Sequence, residues 1–575
     1  MRGIGEVRAS ERAWRARWDG ARVFAAPDRP SGPKFFNYAS GPFTNGALHL
    51  GHVRTYALGD MTARYQRLLG RCVLHATDFD AFGLPNELAA DERGRSPAEH
   101  TAECLARAKE DLGALGTSYD DVRIPTTSDP AYYRWTQWLF LRFLEWGLVE
   151  RREAAAGFCP GCRTSLSRMQ IEGKACARCG SAVVSRVRPQ WFVRIEPYSG
   201  RMRAGLDRLS GFSERAKSLL RAYAAGEGDA GERRRSTSRR RLWLVSRERA
   251  WGTPISIVHC PACGAVPVPD RDLPVRAPAA ESAGERRSGC AATPCPACGR
   301  DSRRETDTLD VFFDGIWCSL ACVGPRDGGN PFVADRLAAW MPVDVFHSGL
   351  DTFVDLHLRR FLGAVLFERG ILAGPEPIAS HFGHEMVLFR GRKMSKHLGN
   401  AVEARALVEA HGADAVRVGI LWAAGPERGF TFRPDVIEKA AAFLHIAHAT
   451  AARAAPAMRR RRTAFEPRSR AASRLAARSA AAARDVARFI EDYRPNAAID
   501  VLADLSRRAC AFVDTRIGSG RLRASDAAAL EEALARFAVA LSPFAPFLAE
   551  EVWALLGRRT LVAAERWPTP LPVGT

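Results

Sequence analysis

At 575 residues, with 84 Lys plus Arg against 64 Asp plus Glu and a net charge of +20, the chain is too long for one ordinary domain and favours a polyanionic partner such as nucleic acid. No stretch approaches the roughly 18 consecutive apolar residues that cross a bilayer, and the first residues, "MRGIGEVRASERAWRARW", lack the apolar core of a signal peptide, which argues against a membrane or exported protein. Eight of the 14 cysteines fall into four C-x-x-C pairs, a metal pattern of reduced compartments rather than a disulfide framework, so a cytoplasmic protein is expected.

In chain order, residues 34–150 alternate short apolar runs ("KFFNYA", "CVLHAT") with helical patterns ("VRTYALGDMTARYQRLL", "AYYRWTQWLFLRFLEWGLV"), which predicts a parallel α/β sheet. Within this stretch, "GPFTNGALHLGH" is a turn-rich loop that runs into an amphipathic helix and carries His49 and His52 at its start. Such a helix start offers unpaired N–H groups and the positive end of the dipole, and so suits phosphate. Residues 151–190 are too polar for a core. Their Cys159, Cys162, Cys176 and Cys179, with thirteen residues between the pairs, have the spacing of a four-thiolate zinc knuckle.

Residues 191–241 read as a connective region. It ends in the 19-residue low-complexity stretch Tyr223–Arg241, whose last nine positions, "RRRSTSRRR", hold six arginines. The α/β pattern resumes over 242–433. Cys260, Cys263, Cys295 and Cys298 form a second four-cysteine set across a longer loop that contains Cys290 as a competitor. Four thiolates leave no open coordination position, so one or two structural Zn²⁺ ions are expected, neither of them catalytic. "RGRKMSKHLGN" follows, a loop in which Lys393 and Lys396 can bring two ammonium groups onto a polyphosphate. Residues 434–575 turn Ala/Arg/Leu-rich with helical periodicity, which predicts a helical bundle interrupted by the Arg-rich hinge "MRRRRTAFEPRSRAASR".

"HLGH" and "KMSKH" together resemble the HIGH and KMSKS signatures of class I aminoacyl-tRNA synthetases. The stretches "DAFGLPNE", "PQWFVRI", "LVSRERAWGTPI", "CGAVPVPDRDLPV", "RRETDTLDVFFD", "NAVEARALVEAHGADAVR" and "LSPFAPFLAEEVW" resemble the bacterial-type leucyl-tRNA synthetases, in family order across nearly the whole chain. The resemblance implies an α/β fold: a Rossmann-like parallel-sheet catalytic domain with zinc-knuckle insertions and a C-terminal α-helical bundle that binds the anticodon arm. It implies ATP-dependent activation of an amino acid, assisted by Mg²⁺, and transfer to tRNA, in a protein expected to be monomeric.

By the same resemblance, His49, His52, Lys393 and Lys396 are catalytic. Gly46, Gly51, Gly349, Asp351, Glu385, Met386, Val387, Leu388 and Ser395 hold ATP, with Gly349 and Asp351 at the ribose and residues 385–388 offering main-chain groups to adenine. Asp80 pairs the substrate's α-ammonium, and Ser40, Gly41, Phe43, Phe312, Gly315, Cys318 and Thr352 wall the side-chain pocket.

The departures are specific. The family's "MFPYPSG" is "SGPFTNG" here, so Ser40, Gly41 and Phe43 replace bulkier or more polar residues. The serine and tyrosine of "TFVDSSWY" become Gly315 and Cys318, and a histidine becomes Thr352. These changes predict a roomier pocket. The large editing domain that the family inserts after "PQWF" is reduced to a short connection, and the family's C-terminal tRNA-binding module is expected to be missing. These losses keep an alternative open, a tRNA-independent or specialised ligase of a biosynthetic pathway with altered amino-acid specificity. A non-enzymatic relic is disfavoured by retention of both histidines and both lysines.

Overall fold

The computed structural model describes residues 3–162, 164–166, 171–225, 242–277, 292–325, 329–394, 400–459, 468–517 and 523–568. Its centre is a five-stranded sheet in the order Cys72–Ala76, Lys34–Ala39, Val343–Gly349, Ile378–His384, Gly211–Phe212, with every pairing parallel. The strand "KFFNYA" is buried at five of its six positions, as a strand covered on both faces must be. From Lys34–Ala39 the chain goes to one neighbour, and from Val343–Gly349 it goes to the other. The order therefore reverses between these two adjacent strands, and a crevice opens at their C-terminal ends, where open α/β sheets bind ligands. The helix Leu50–Leu68, which carries the first signature at its start, follows the strand Lys34–Ala39 at this end.

The stretch read as connective, 191–241, is only partly so. Gly211–Phe212 pairs with Ser380–His381 and completes the sheet edge. Tyr223, placed in the linker by its low-complexity surroundings, belongs to the helix Glu214–Ala225 and packs edge-on against Phe353 at 5.7 Å. Residues 226–241, including the arginine run, lie outside the described residues, as does Cys290. The boundary expected at 150/151 falls inside the strand Val149–Cys159, which pairs along its length with Val184–Arg194 as an antiparallel ribbon leading to the first cysteine set.

From residue 435 on, the described chain is helical: Asp435–Arg459, Arg470–Glu491, Pro495–Ile517, Ala524–Leu541 and Pro546–Leu555. The apolar positions of Arg470–Glu491 recur every three or four residues (Ala472, Leu475, Ala476, Ala482, Ala483, Val486, Ala487, Ile490), which gives one buried stripe, and the Ser469 hydroxyl caps its start by accepting from the Ala472 N–H. This helix begins inside the predicted Arg-rich hinge. The bundle shares one continuous apolar core with the helix Leu50–Leu68, from Trp18 and Tyr56 through Val416 to Phe537 and Trp567.

A buried ionic node ties the two bodies. The Asp60 carboxylate accepts from Arg64 Nε (2.8 Å), Arg417 Nη2 (2.6 Å) and the Ser118 N–H (2.6 Å), while Arg417 also donates to the carbonyls of Pro543 and Phe544 in the bundle. Burial opposes the Asp60 charge, yet Arg64 and Arg417 hold the carboxyl far below the usual carboxylate range. Asp60→Asn would leave two buried guanidinium groups without their counter-charge, and a urea titration should show stability lower by about 3–5 kcal/mol. A change below about 1 kcal/mol would show that the node contributes little to stability.

Candidate active site

The helix Leu50–Leu68 starts at the crevice with His49 as its N-cap. His49 Nδ1 accepts from the Gly51 N–H, and His52 Nδ1 accepts from the His49 N–H, each at 3.1 Å. An imidazole whose Nδ1 accepts carries its proton on Nε2. The two rings, 4.0 Å apart at their centroids, thus both present Nε2–H donors at the positive end of a helix. A Cβ at Gly51 would stand 2.8 Å from the His49 ring, so a side chain there would push the imidazole off its cap. This start is laced to the segment after the lysine loop, with the Leu50 N–H donating to the Val402 carbonyl and the Ala404 N–H to the Leu48 carbonyl.

Lys393 ends a short hairpin strand, Arg392–Lys393, paired with Val387–Phe389. Its ammonium bonds Asp351 Oδ2 at 2.7 Å, and Asn400 Nδ2 donates to its carbonyl. Gly349 ends the strand Val343–Gly349 and Asp351 lies two residues beyond it, so the Lys393–Asp351 pair stands at the C-terminal end of the strand that neighbours Lys34–Ala39, the strand preceding the histidine helix. Ser395 and Lys396 lie outside the described residues.

The predicted adenine segment, Glu385 to Leu388, is held by two neighbouring residues of the histidine helix that sequence reasoning passed over. Arg54 donates from Nη1 to the Glu385 carbonyl (3.0 Å) and from Nη2 to the carbonyls of Gly425 (2.8 Å) and Arg428 (2.9 Å). Thr55 Oγ1 meets His384 Nε2 at 2.8 Å, while His384 Nδ1 donates to the Glu385 carbonyl at 3.0 Å. Burial pushes His384 down to about 4, so it is neutral and serves as a fixed donor–acceptor link.

At the opposite end of the crevice, Phe43 and Asp80 are bridged by main-chain bonds. Asp80 Oδ1 is buried and accepts no hydrogen bond among the described residues. Burial drives its carboxyl well above the usual range, and the neighbouring Asp78 and Asp314 add to the effect. Asp314, also absent from the sequence expectations, is pushed up to about 8 by burial, although Thr253 Oγ1 donates to its Oδ1 at 2.5 Å. The buried Arg249 guanidinium offsets part of this rise at both carboxyls.

The roomier pocket predicted from the departures is largely filled. A Cβ on Gly41 would lie 1.9 Å from the Asp78 carbonyl oxygen, so main chain occupies that space. Cys318 is fully buried, with the Tyr132 hydroxyl 2.9 Å from its sulfur and the Tyr132 ring stacked on Trp317. Only at Gly315, of these two glycines, is the side-chain position open, with nothing within 4 Å. Phe312 is half-buried, Ser40 donates its N–H to the His347 carbonyl, and Thr352 Oγ1 turns back onto Ser348 Oγ and the Gly349 carbonyl, each at 2.8 Å.

Away from the crevice, the four sulfurs of Cys159, Cys162, Cys176 and Cys179, and those of Cys260, Cys263, Cys295 and Cys298, each lie within 4.8 Å of one another. Sulfurs around one tetrahedral zinc at about 2.3 Å are about 3.8 Å apart. The Cys162–Cys176 and Cys260–Cys298 separations, 3.9 and 3.6 Å, fit that geometry, and the Cys159–Cys179 pair is closer, at 3.3 Å.

Residues 13–429 match the family described as tRNA synthetases class I (I, L, M and V), and residues 474–573 match the anticodon-binding domain of tRNA ligase. A leucine–tRNA ligase of Thermotoga maritima is 28% identical over 750 residues, covering 97% of this chain and 90% of its own length, and one of Halobacterium salinarum is 29% identical over 740 residues, covering 98% and 82%. The first alignment is longer than the 575-residue chain, so that relative carries segments with no counterpart here. Among solved structures, an Agrobacterium radiobacter K84 LeuRS, in a ternary complex with tRNA and LeuAMS, superposes with a TM-score of 0.86 at 24% identity, over 98% of this chain and 90% of that one. A likeness at that level of identity bears on the fold.

Proposed function

The chain belongs to the class I tRNA synthetases (I, L, M and V), and we propose that it activates leucine with ATP and transfers the aminoacyl group to tRNA. The observation that carries this reading is the capping of the helix start by His49 and His52, which leaves each Nδ1 an acceptor and each proton on Nε2 at a helix N-terminus. The leucine carboxylate attacks the α-phosphorus of ATP, pyrophosphate leaves, and negative charge grows on the phosphate oxygens. The two imidazole N–H groups and the helix dipole meet that charge, with Lys393 and Lys396 on the departing pyrophosphate. Mg²⁺ would supply further neutralisation on the phosphates when bound. Asp80 takes the α-ammonium, and the ribose takes Asp351, releasing Lys393. The match to an anticodon-binding domain favours tRNA over a small amine as acceptor. The shortened internal connection is read as loss of hydrolytic editing. A cytoplasmic monomer is the accompanying proposal; no helix among the described residues is long and apolar enough to cross a membrane.

Amino-acid-dependent ATP–pyrophosphate exchange tests this directly. Leucine should drive exchange above the other proteinogenic acids and should be esterified to tRNA; exchange with a different acid alone, or none with any, would sink the reading. His52→Ala should slow exchange by roughly a hundredfold or more, the scale for losing a charge-stabilising donor. Arg54→Lys keeps the charge but cannot span three carbonyls, so the KM for ATP should rise about tenfold, or about 1.4 kcal/mol. An unchanged KM for ATP would remove Arg54 from the site's framework. Metal analysis should find about two zinc ions per chain, one for each four-cysteine set; a metal-free folded protein would refute the knuckles.

A further inference from the structure

The loss of bulk at Gly41 has a counterpart in what stands against it. Asp78 is buried, and its Oδ1 accepts from the Tyr38 hydroxyl at 2.5 Å and from the Gly41 N–H at 3.0 Å. One donor comes from the strand Lys34–Ala39, the other from the turn that follows it. Two residues further on, the Asp80 N–H donates to the Pro42 carbonyl at 3.2 Å and the Thr44 N–H to the Asp80 carbonyl at 2.9 Å. The turn and the segment 78–80 are therefore laced together, by a carboxylate at one end and by main chain at the other. No side chain separates them, since the Asp78 carbonyl fills the space of a Gly41 Cβ.

Behind the carboxylate, the Arg359 guanidinium lies 5.3 Å from the ring centres of Tyr38 and Phe346 and bonds Asp355 through Nε at 2.8 Å. Burial pushes the Asp78 carboxyl up, and Arg359, Tyr38 and the Gly41 amide draw it back. A buried carboxylate held by two neutral donors and a nearby guanidinium is costly to move, so the groups it holds are fixed in place.

We propose that Asp78 is a positioning residue for the amino-acid subsite: by gripping Tyr38 and Gly41 it sets the turn 40–43 against Asp80, and so fixes the distance between the α-ammonium carboxylate and the pocket wall. This rests on the reading of Asp80 as the ammonium ligand. It assigns Asp78 to amino-acid binding and not to ATP, whose proposed ligands sit at the other end of the crevice.

The test is the division of effects between the two substrates in the exchange assay, using the amino acid that the parent protein activates. Asp78→Ala should raise the KM for the amino acid about ten- to a hundredfold, as expected for losing hydrogen bonds to a charged group, and leave the KM for ATP within about twofold. Asp78→Asn retains an oxygen that can accept from both donors and should come back to within about threefold of the parent. Equal rises in both KM values, an unchanged amino-acid KM, or an Asn variant as impaired as the Ala variant would each overturn the assignment. If Asp78→Ala does not fold, Tyr38→Phe removes one donor only; it should raise the amino-acid KM about two- to fivefold with ATP unaffected, and no rise would equally overturn it. A parent that activates no amino acid sinks the functional reading itself, whereas an active parent with unaffected variants sinks only the role of Asp78.

Discussion

One guanidinium holds the two halves of the crevice in register. Arg54 projects from the histidine helix onto three main-chain carbonyls, one before the lysine hairpin and two in the loop that leads into the strand Phe430–Thr431 beside it. A buried cation with five fixed donors is satisfied only when several acceptors converge, and carbonyl oxygens become well-placed acceptors only when their backbone is in place. Burial lowers Arg54 to about 10, still charged at neutral pH. Thr55 and His384 repeat the link one residue along. Arg54 thereby ties the start of the histidine helix to the segment that leads into the hairpin ending at Lys393.

The two ends of the crevice solve opposite electrostatic problems. At the end proposed for the phosphates, the donors are imidazole and main-chain N–H groups and the exposed Lys393, with the buried Arg54 behind them on three carbonyls. At the end proposed for the amino acid, burial raises the Asp80 and Asp314 carboxyls and Arg249 only partly offsets it, while Asp78 is countered by Arg359. A zwitterionic substrate fits such a gradient in one orientation, ammonium toward the acids and carboxylate toward the phosphate end.

Much of this was legible in the sequence, and the reasons are local. The histidine helix announces itself by a glycine-bearing loop that runs into an amphipathic pattern, and C-x-x-C spacing dictates its own knuckle geometry regardless of the remaining chain. What the sequence did not disclose depends on what is brought up from afar. Arg54 read as one arginine among many, because its three acceptors lie more than 300 residues away. Gly41 and Cys318 read as vacated volume, because nothing in their own stretches says that the Asp78 carbonyl or Tyr132 fills the gap. Gly211–Phe212 was lost in a connective stretch because two residues carry no periodicity.

The apolar core that runs unbroken from the histidine helix into the C-terminal helices makes the bundle something other than an appended recognition module. Trp18 stacks on Phe547 with ring centres 4.9 Å apart, and its indole N–H donates to the Glu550 carboxylate in the last long helix. A catalytic half cut away at residue 434 would expose Trp18, Tyr65 and Val416 to water and leave Arg417 without the Pro543 and Phe544 carbonyls. Insertions can leave through surface loops without disturbing this shared interior, whereas the helical half cannot be exchanged for another without rebuilding the floor beneath the histidines.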